Sequence, residues 1–140
     1  MTETIIRAAL CAGLAMAMTG AGAAAFPERP VRVVVASAAG GGTDIIARLL
    51  AQQLTSVWHQ QAVVDNRPGG GGVIATDIAA RAAPDGYTLL VQSVGISYAP
   101  ALYRKLPFDV TRDIAAVTII GTQPFVLAVH PSLPAASVAE

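Results

Sequence analysis

The strongest constraint on this chain is a pattern written twice and begun a third time: a short β-branched run, a glycine-rich break, then a helix-spaced segment. Val31-Arg32-Val33-Val34-Val35-Ala36 is apolar at nearly every position, as in a strand buried on both faces. Ser37-Ala38-Ala39-Gly40-Gly41-Gly42 breaks that run. Ile45, Ile46, Leu49, Leu50, Leu54, Val57 and Trp58 then recur at helical spacing, with Arg48, Gln52, Gln53 and Ser56 between them. A stripe of this kind is expected to face the core, and Thr43 or Asp44 is expected to cap the helix start.

The second unit follows directly. Gln61-Ala62-Val63-Val64 reads as a strand ended by Asp65-Asn66-Arg67-Pro68 and the run Gly69–Gly72, and Val73 to Ala82 reads as an alanine-rich helix. Pro84-Asp85-Gly86 is a turn, since Pro presets φ and Asp and Gly tolerate the reversal. Tyr87-Thr88-Leu89-Leu90-Val91 is the third strand, leading into a loop over Gln92-Ser93-Val94-Gly95-Ile96-Ser97. Strands alternating with helices predict an α/β lobe built on a parallel sheet with right-handed crossovers.

Beyond Tyr98 the pattern changes. Pro100–Tyr103 reads as a helical turn, Leu106–Asp109 as a loop, Ile114–Ile120 and Phe125–Val129 as β-rich runs, and Pro131 and Pro134 as the brackets of a turn. Ser137 has the character of an N-cap, and the chain reads as truncated there. At the other end, Met1–Ala25 has Arg7 near its start, an uncharged Ala-rich middle and an Ala23-Ala24-Ala25 exit. That is the layout of a secretory signal peptide cleaved near Ala25. The expected organisation is a signal over 1–25, a first lobe over 26–112, and crossover strands opening a second lobe over 113–140.

Nine basic against nine acidic residues leave no net charge, so there is no long-range attraction to a phosphate backbone and nucleic acid is excluded as the expected partner. One Cys, Cys11, lies in the signal; it permits neither an internal disulfide nor a CxxC metal site. No G-x-S-x-G, H-E-x-x-H or Walker-type run occurs, and neither His59 nor His130 has a nucleophile at a motif spacing. No catalytic residue and no cofactor is assigned.

Chemistry is therefore expected in the loops at the carboxyl ends of the strands. Three consecutive glycines before a helix let a ligand approach backbone, and the helix start presents free N–H groups that favour an anion. The residues leave two readings open, an anion cradle or simply a turn. The candidate ligand residues are Ser37, Ala38, Gly40, Gly41, Gly42, Thr43 and Asp44, with Ser93 and Ser97 from the third loop. Arg67 is expected to pair with Asp65 or to cap local carbonyls rather than to meet a ligand carboxylate.

Phe26-Pro27-Glu28-Arg29-Pro30-Val31-Arg32, Gly40-Gly41-Gly42-Thr43-Asp44-Ile45, Asn66-Arg67-Pro68-Gly69, Ala83-Pro84-Asp85-Gly86-Tyr87-Thr88-Leu89-Leu90, Leu106-Pro107-Phe108-Asp109 and Pro131-Ser132-Leu133-Pro134 occur in that order. Together they resemble the substrate-binding proteins of tripartite tricarboxylate transporters, the Bug family. The resemblance implies a type II periplasmic binding protein fold, cut before most of its second lobe. It also implies a periplasmic monomer that passes a small carboxylate to membrane permease subunits and holds it mainly through backbone donors and water. The loops so used correspond to Ser37–Asp44 and to Ser93–Ser97. Ser37-Ala38-Ala39 departs from the family pattern, which has an aromatic residue and prolines before the triple glycine. The competing readings are a non-functional or regulatory remnant of such a receptor and an α/β enzyme.

Overall fold

The computed structural model describes residues 26–122, 124, 126–130, 132–134 and 137. The signal expected over 1–25 and the residues that would follow a Ser137 cap lie outside the described residues.

Three strands form one parallel sheet: β1 (Val31–Val35), β2 (Ala62–Asn66) and β3 (Thr88–Val91), in the order β2-β1-β3. Val35 lies opposite Asn66 on one side and opposite Val91 on the other. The central strand is the core, since Val31, Val33, Val34 and Val35 have no solvent exposure. The unbroken valine run thus has the meaning read from it: both faces of β1 are covered. α1 (Gly42–Trp58) lies against β1 and β2, and α2 (Val73–Ala80) against β1 and β3. Right-handed crossovers place them on opposite faces of the sheet. α3 (Gly95–Leu102) packs on α2.

The face of α1 differs from the one expected. Asp44, Ala47 and Ala51 are its buried residues, whereas Ile45, Ile46, Leu49 and Val57 are exposed, Leu49 at 60% and Val57 at 71%. Small alanines let the helix axis approach the valines of β1 closely, and Leu50 joins Val33, Val35, Ala47, Ala62, Val64 and Val91 in the core. The helix ends at His59, which takes the left-handed conformation (φ 54°) that closes a helix C-terminus.

Two other expectations are corrected. The loop read over Gln92–Ser97 is shorter, because α3 already begins at Gly95 and takes in Ile96 and Ser97. The β-rich run Ile114–Ile120 forms no strand, and Val117 and Ile119 are more than 80% exposed. Phe125 is outside the described residues, and Val126–Val129 are likewise unpaired and exposed. β-branched residues favour a pleated, half-buried surface rather than an isolated extended chain, and among the described residues no strand edge lies beside these runs. The Leu133 amide donates to the His130 carbonyl at 2.9 Å, while Pro131 of the expected turn lies outside the described residues.

The opposite end of the sheet is clasped by aromatic contacts. Phe26 meets Trp58 edge-on at 5.7 Å and Tyr87 at 5.0 Å, and the Arg29 guanidinium lies 4.1 Å from the Tyr87 ring centre while pairing with Asp85. These contacts tie the start of the described chain to the strand and helix ends farthest from the glycine loops. No helix among the described residues is long and apolar enough to cross a membrane.

Candidate functional site

Because Val35 is level with both Asn66 and Val91, all three strand-to-helix loops open at the same end of the sheet. The chain leaves β1 toward β2 and returns across it to β3, so a crevice falls between the ends of β1 and β3, where open parallel sheets hold ligands. Strands lie about 5 Å apart, which brings Ser37 and Ser93, each two residues past a paired valine, to neighbouring positions on the rim.

The first loop is a tight bend. Gly40 takes φ +82°, and the Gly41 amide donates to the Ala38 carbonyl at 3.1 Å. α1 begins at Gly42 with Gly41 as its N-cap and without any side-chain cap. Neither Thr43 nor Asp44 therefore caps the helix as expected. Asp44 instead turns back and accepts the Gly40 amide at 2.8 Å. The amides of Gly40 and Gly41 are thus spent inside the bend, and the free donors lie one step further on. Those of Gly42, Thr43 and Asp44 have no acceptor among the described residues, as helix geometry requires of a first turn. A side chain built on Gly42 would meet nothing within 4 Å, so this side of the bend is open.

Asp44 is buried at 2% exposure. Its carboxylate also accepts from Arg48 Nε at 2.9 Å and from Asn66 Nδ2 at 2.9 Å. The Arg48 guanidinium above all, then the Gly40 amide and the Asn66 amide, hold its pKa down at about 2. The expected ligand residue Asp44 therefore directs its side chain inward and offers only its backbone N–H outward. Asn66 Nδ2 donates in addition to the Ser37 carbonyl at 3.1 Å, and Asn66 Oδ1 accepts from Arg48 Nη2 at 3.2 Å. From sequence, Asn66 falls in the stretch that ends the second strand and Arg48 between the apolar positions of the first helix, and neither is a candidate ligand residue. The i, i+4 spacing of Asp44 and Arg48 was a readable signal, whereas the reach of Asn66 across the sheet depends on strand register.

Ser37 Oγ is buried and has no hydrogen-bond partner. Ala38 and Ala39 are exposed beside it. In the third loop the Ser93 carbonyl accepts the Ile96 amide at 3.5 Å, and the Ser97 amide donates to Val94 at 2.9 Å. Both serines are exposed. In the second loop Arg67–Gly71 are exposed and only Gly72 is buried. Gly70–Gly72 form a single tight turn with φ positive throughout, and a side chain on Gly72 would fall 1.9 Å from Gln92 Nε2. A side chain on Gly95 would fall 3.0 Å from the Gly71 carbonyl, so glycine there permits α3 to start against this turn. Arg67 pairs with Asp65 at 2.9 Å, as expected. Asp65 also accepts from Arg32 Nε at 2.9 Å, and that guanidinium is the main cause of its lowered pKa. Two hollows of the described surface are lined by other residues, one beside α1 and β2 and one along Pro100–Thr111.

Residues 46–140 match the model of the tripartite tricarboxylate transporter family receptor, TctC. A UPF0065 protein of the tcbD–tcbE intergenic region of Pseudomonas sp. strain P51 is 39% identical over 128 residues, which is 88% of this chain and 38% of the relative. Among solved structures, the periplasmic binding protein BugD is 46% identical with a TM-score of 0.58, over 60% of this chain and 28% of that one. MatC from Rhodopseudomonas palustris, solved with bound malate, is 42% identical with a TM-score of 0.59, over 63% and 30%. The chain spans between 34% and 42% of the length of three curated relatives that it matches. Its parallel α/β sheet is part of a periplasmic binding protein fold, and the chain belongs to the tripartite tricarboxylate transporter receptor family.

Proposed function

We propose that this chain carries one wall of an extracytoplasmic receptor site that takes up a small carboxylate and passes it to the membrane permease of a tripartite transporter. The observation that carries the reading is the row of unpaired amides at Gly42, Thr43 and Asp44, opened by the glycine bend at the carboxyl end of the central strand. An anion there meets converging N–H dipoles and the positive end of α1. In this reading the partnerless Ser37 hydroxyl and the exposed residues Ser93 and Ser97 offer further donors to the same guest. The charge of Asp44 does not oppose the guest strongly, because Arg48 and Asn66 neutralise and screen it. The malate held by MatC supports a dicarboxylate, and family membership supports a periplasmic site of action and a non-catalytic role.

Magnitudes limit what one wall achieves. Three charge-assisted donors contribute about 1.5–3 kcal/mol each, the helix dipole about 1 kcal/mol, and association costs about 4 kcal/mol or more. The remainder corresponds to roughly millimolar affinity. Enclosure by a second wall would supply the rest. Calorimetric titration of the exported chain, residues 26–140, with malate, succinate and their neutral diamides tests this. Weak heats for the acids and none for the diamides are expected; equal response to both overturns the reading, and micromolar binding overturns the one-wall account.

A further inference from the structure

We propose that Asn66 is the positioning residue of this site: it touches no ligand, but sets where the amides of Gly42–Asp44 point. The inference rests on the anion-cradle reading and deepens it. Asn66 ends β2, opposite Val35, and spans from its own strand to both ends of the first loop. One Nδ2 group holds the Ser37 carbonyl at the entry of the bend and Asp44 Oδ1 at its exit, at 3.1 and 2.9 Å.

Chemistry fixes the amide's orientation. Turned over, its oxygen would face a carbonyl and a carboxylate, three acceptors with no proton among them, while its NH₂ would face the Arg48 guanidinium. The arrangement present satisfies all four groups, since Arg48 Nη2 donates to Oδ1 at 3.2 Å. Asp44, held from that side, in turn takes the Gly40 amide. With the Gly41 amide on the Ala38 carbonyl, the amides of Gly42, Thr43 and Asp44 remain free. Without the Asn66 bridge the bend retains its glycine freedom, and Gly40 at φ +82° competes with other conformers. An anion would then have to order the loop as it binds, which weakens affinity without altering any direct contact.

The test uses the exported chain labelled with ¹⁵N and titrated with malate, following native resonances so that affinity is read on folded molecules. Asn66→Asp preserves volume but turns the two donated bonds into repulsions; Arg48→Lys, at a half-exposed position, loosens the same bridge from outside; Val33→Ala is a control that weakens the core alone. Asn66→Asp is expected to weaken malate binding about tenfold and to move the Gly40 amide proton upfield as its bond to Asp44 lengthens. Arg48→Lys is expected to do the same to a smaller extent, and Val33→Ala to lower the melting temperature with neither change. Unchanged affinity in Asn66→Asp, or an equal loss in Val33→Ala, overturns the positioning role while leaving the cradle intact. A wild-type chain whose Gly42–Asp44 amides ignore malate overturns the cradle itself, and the positioning role with it.

Discussion

The backbone amide of Gly40 donates to Oδ2 of Asp44 at 2.8 Å, so the bend before α1 is closed by the first turn of the helix it introduces. Asp44 has its pKa lowered from 3.8 to about 2 by Arg48, Gly40 and Asn66. A carboxyl whose folded pKa lies below its unfolded value binds fewer protons when folded, so its stabilisation is present above about pH 4 and is lost as pH falls toward 2. Chemical denaturation of wild type and Asp44→Asn across pH isolates this contribution, since Asp65, Asp109 and Asp113, also lowered, are common to both. The wild-type advantage is expected to be constant above pH 5 and to shrink between pH 4 and 2. An advantage that does not change across that window contradicts the assignment.

α1 buries alanines and exposes leucine and isoleucine, which reverses the usual cost of substitution. Ala47→Leu is expected to destabilise by about 1–3 kcal/mol through overpacking against Val33 and Val35. Leu49→Gln, on a residue 60% exposed, is expected to change stability by less than about 0.5 kcal/mol. Urea midpoints decide; the opposite order would restore the leucine face to the core.

That helix also shows where the sequence was legible and where it was not. The valine run of β1, the helix after each glycine break and the Pro84–Gly86 turn could be placed because each depends on neighbours in sequence. The burial of Ala47 in preference to Leu49 could not, because closeness to the sheet, rather than side-chain size, selects the inner face. Ile114–Ile120 has strand composition without a strand beside it, and a ladder is a property of two segments. The glycine bend before α1 was readable from the glycines. The division of its amides was not, because Asp44 takes the Gly40 amide and the Ala38 carbonyl the Gly41 amide, and Asn66, which holds Asp44, arrives from another strand.

Gly42→Ala separates the two uses of glycine in the bend. A methyl there meets nothing within 4 Å and enters a helical position, so stability is expected to stay level or rise by up to about 1 kcal/mol. The same methyl stands beside the free amides and is expected to weaken malate binding roughly tenfold or more. Thermal melts together with calorimetry check both; loss of stability with binding intact would assign Gly42 to the turn alone.

Ser37→Ala removes a buried hydroxyl that has no partner. Deleting such a group relieves a desolvation cost, so the free chain is expected to be unchanged or more stable by up to about 1 kcal/mol. Malate binding is expected to weaken, because the hydroxyl gains its partner only with the anion present. A loss of stability greater than about 1 kcal/mol, measured by urea unfolding, would mean that Ser37 is already satisfied in the unliganded protein.

The most direct measurement is an amide-resolved NMR titration of residues 26–140 with malate. Saturable shifts at Gly42, Thr43 and Asp44 are expected, with Gly40 and Gly41 nearly still because their protons are already engaged. Shifts scattered over the exposed arginines, or none at any concentration up to about 100 times the roughly millimolar constant, would contradict the claim that this bend receives a carboxylate.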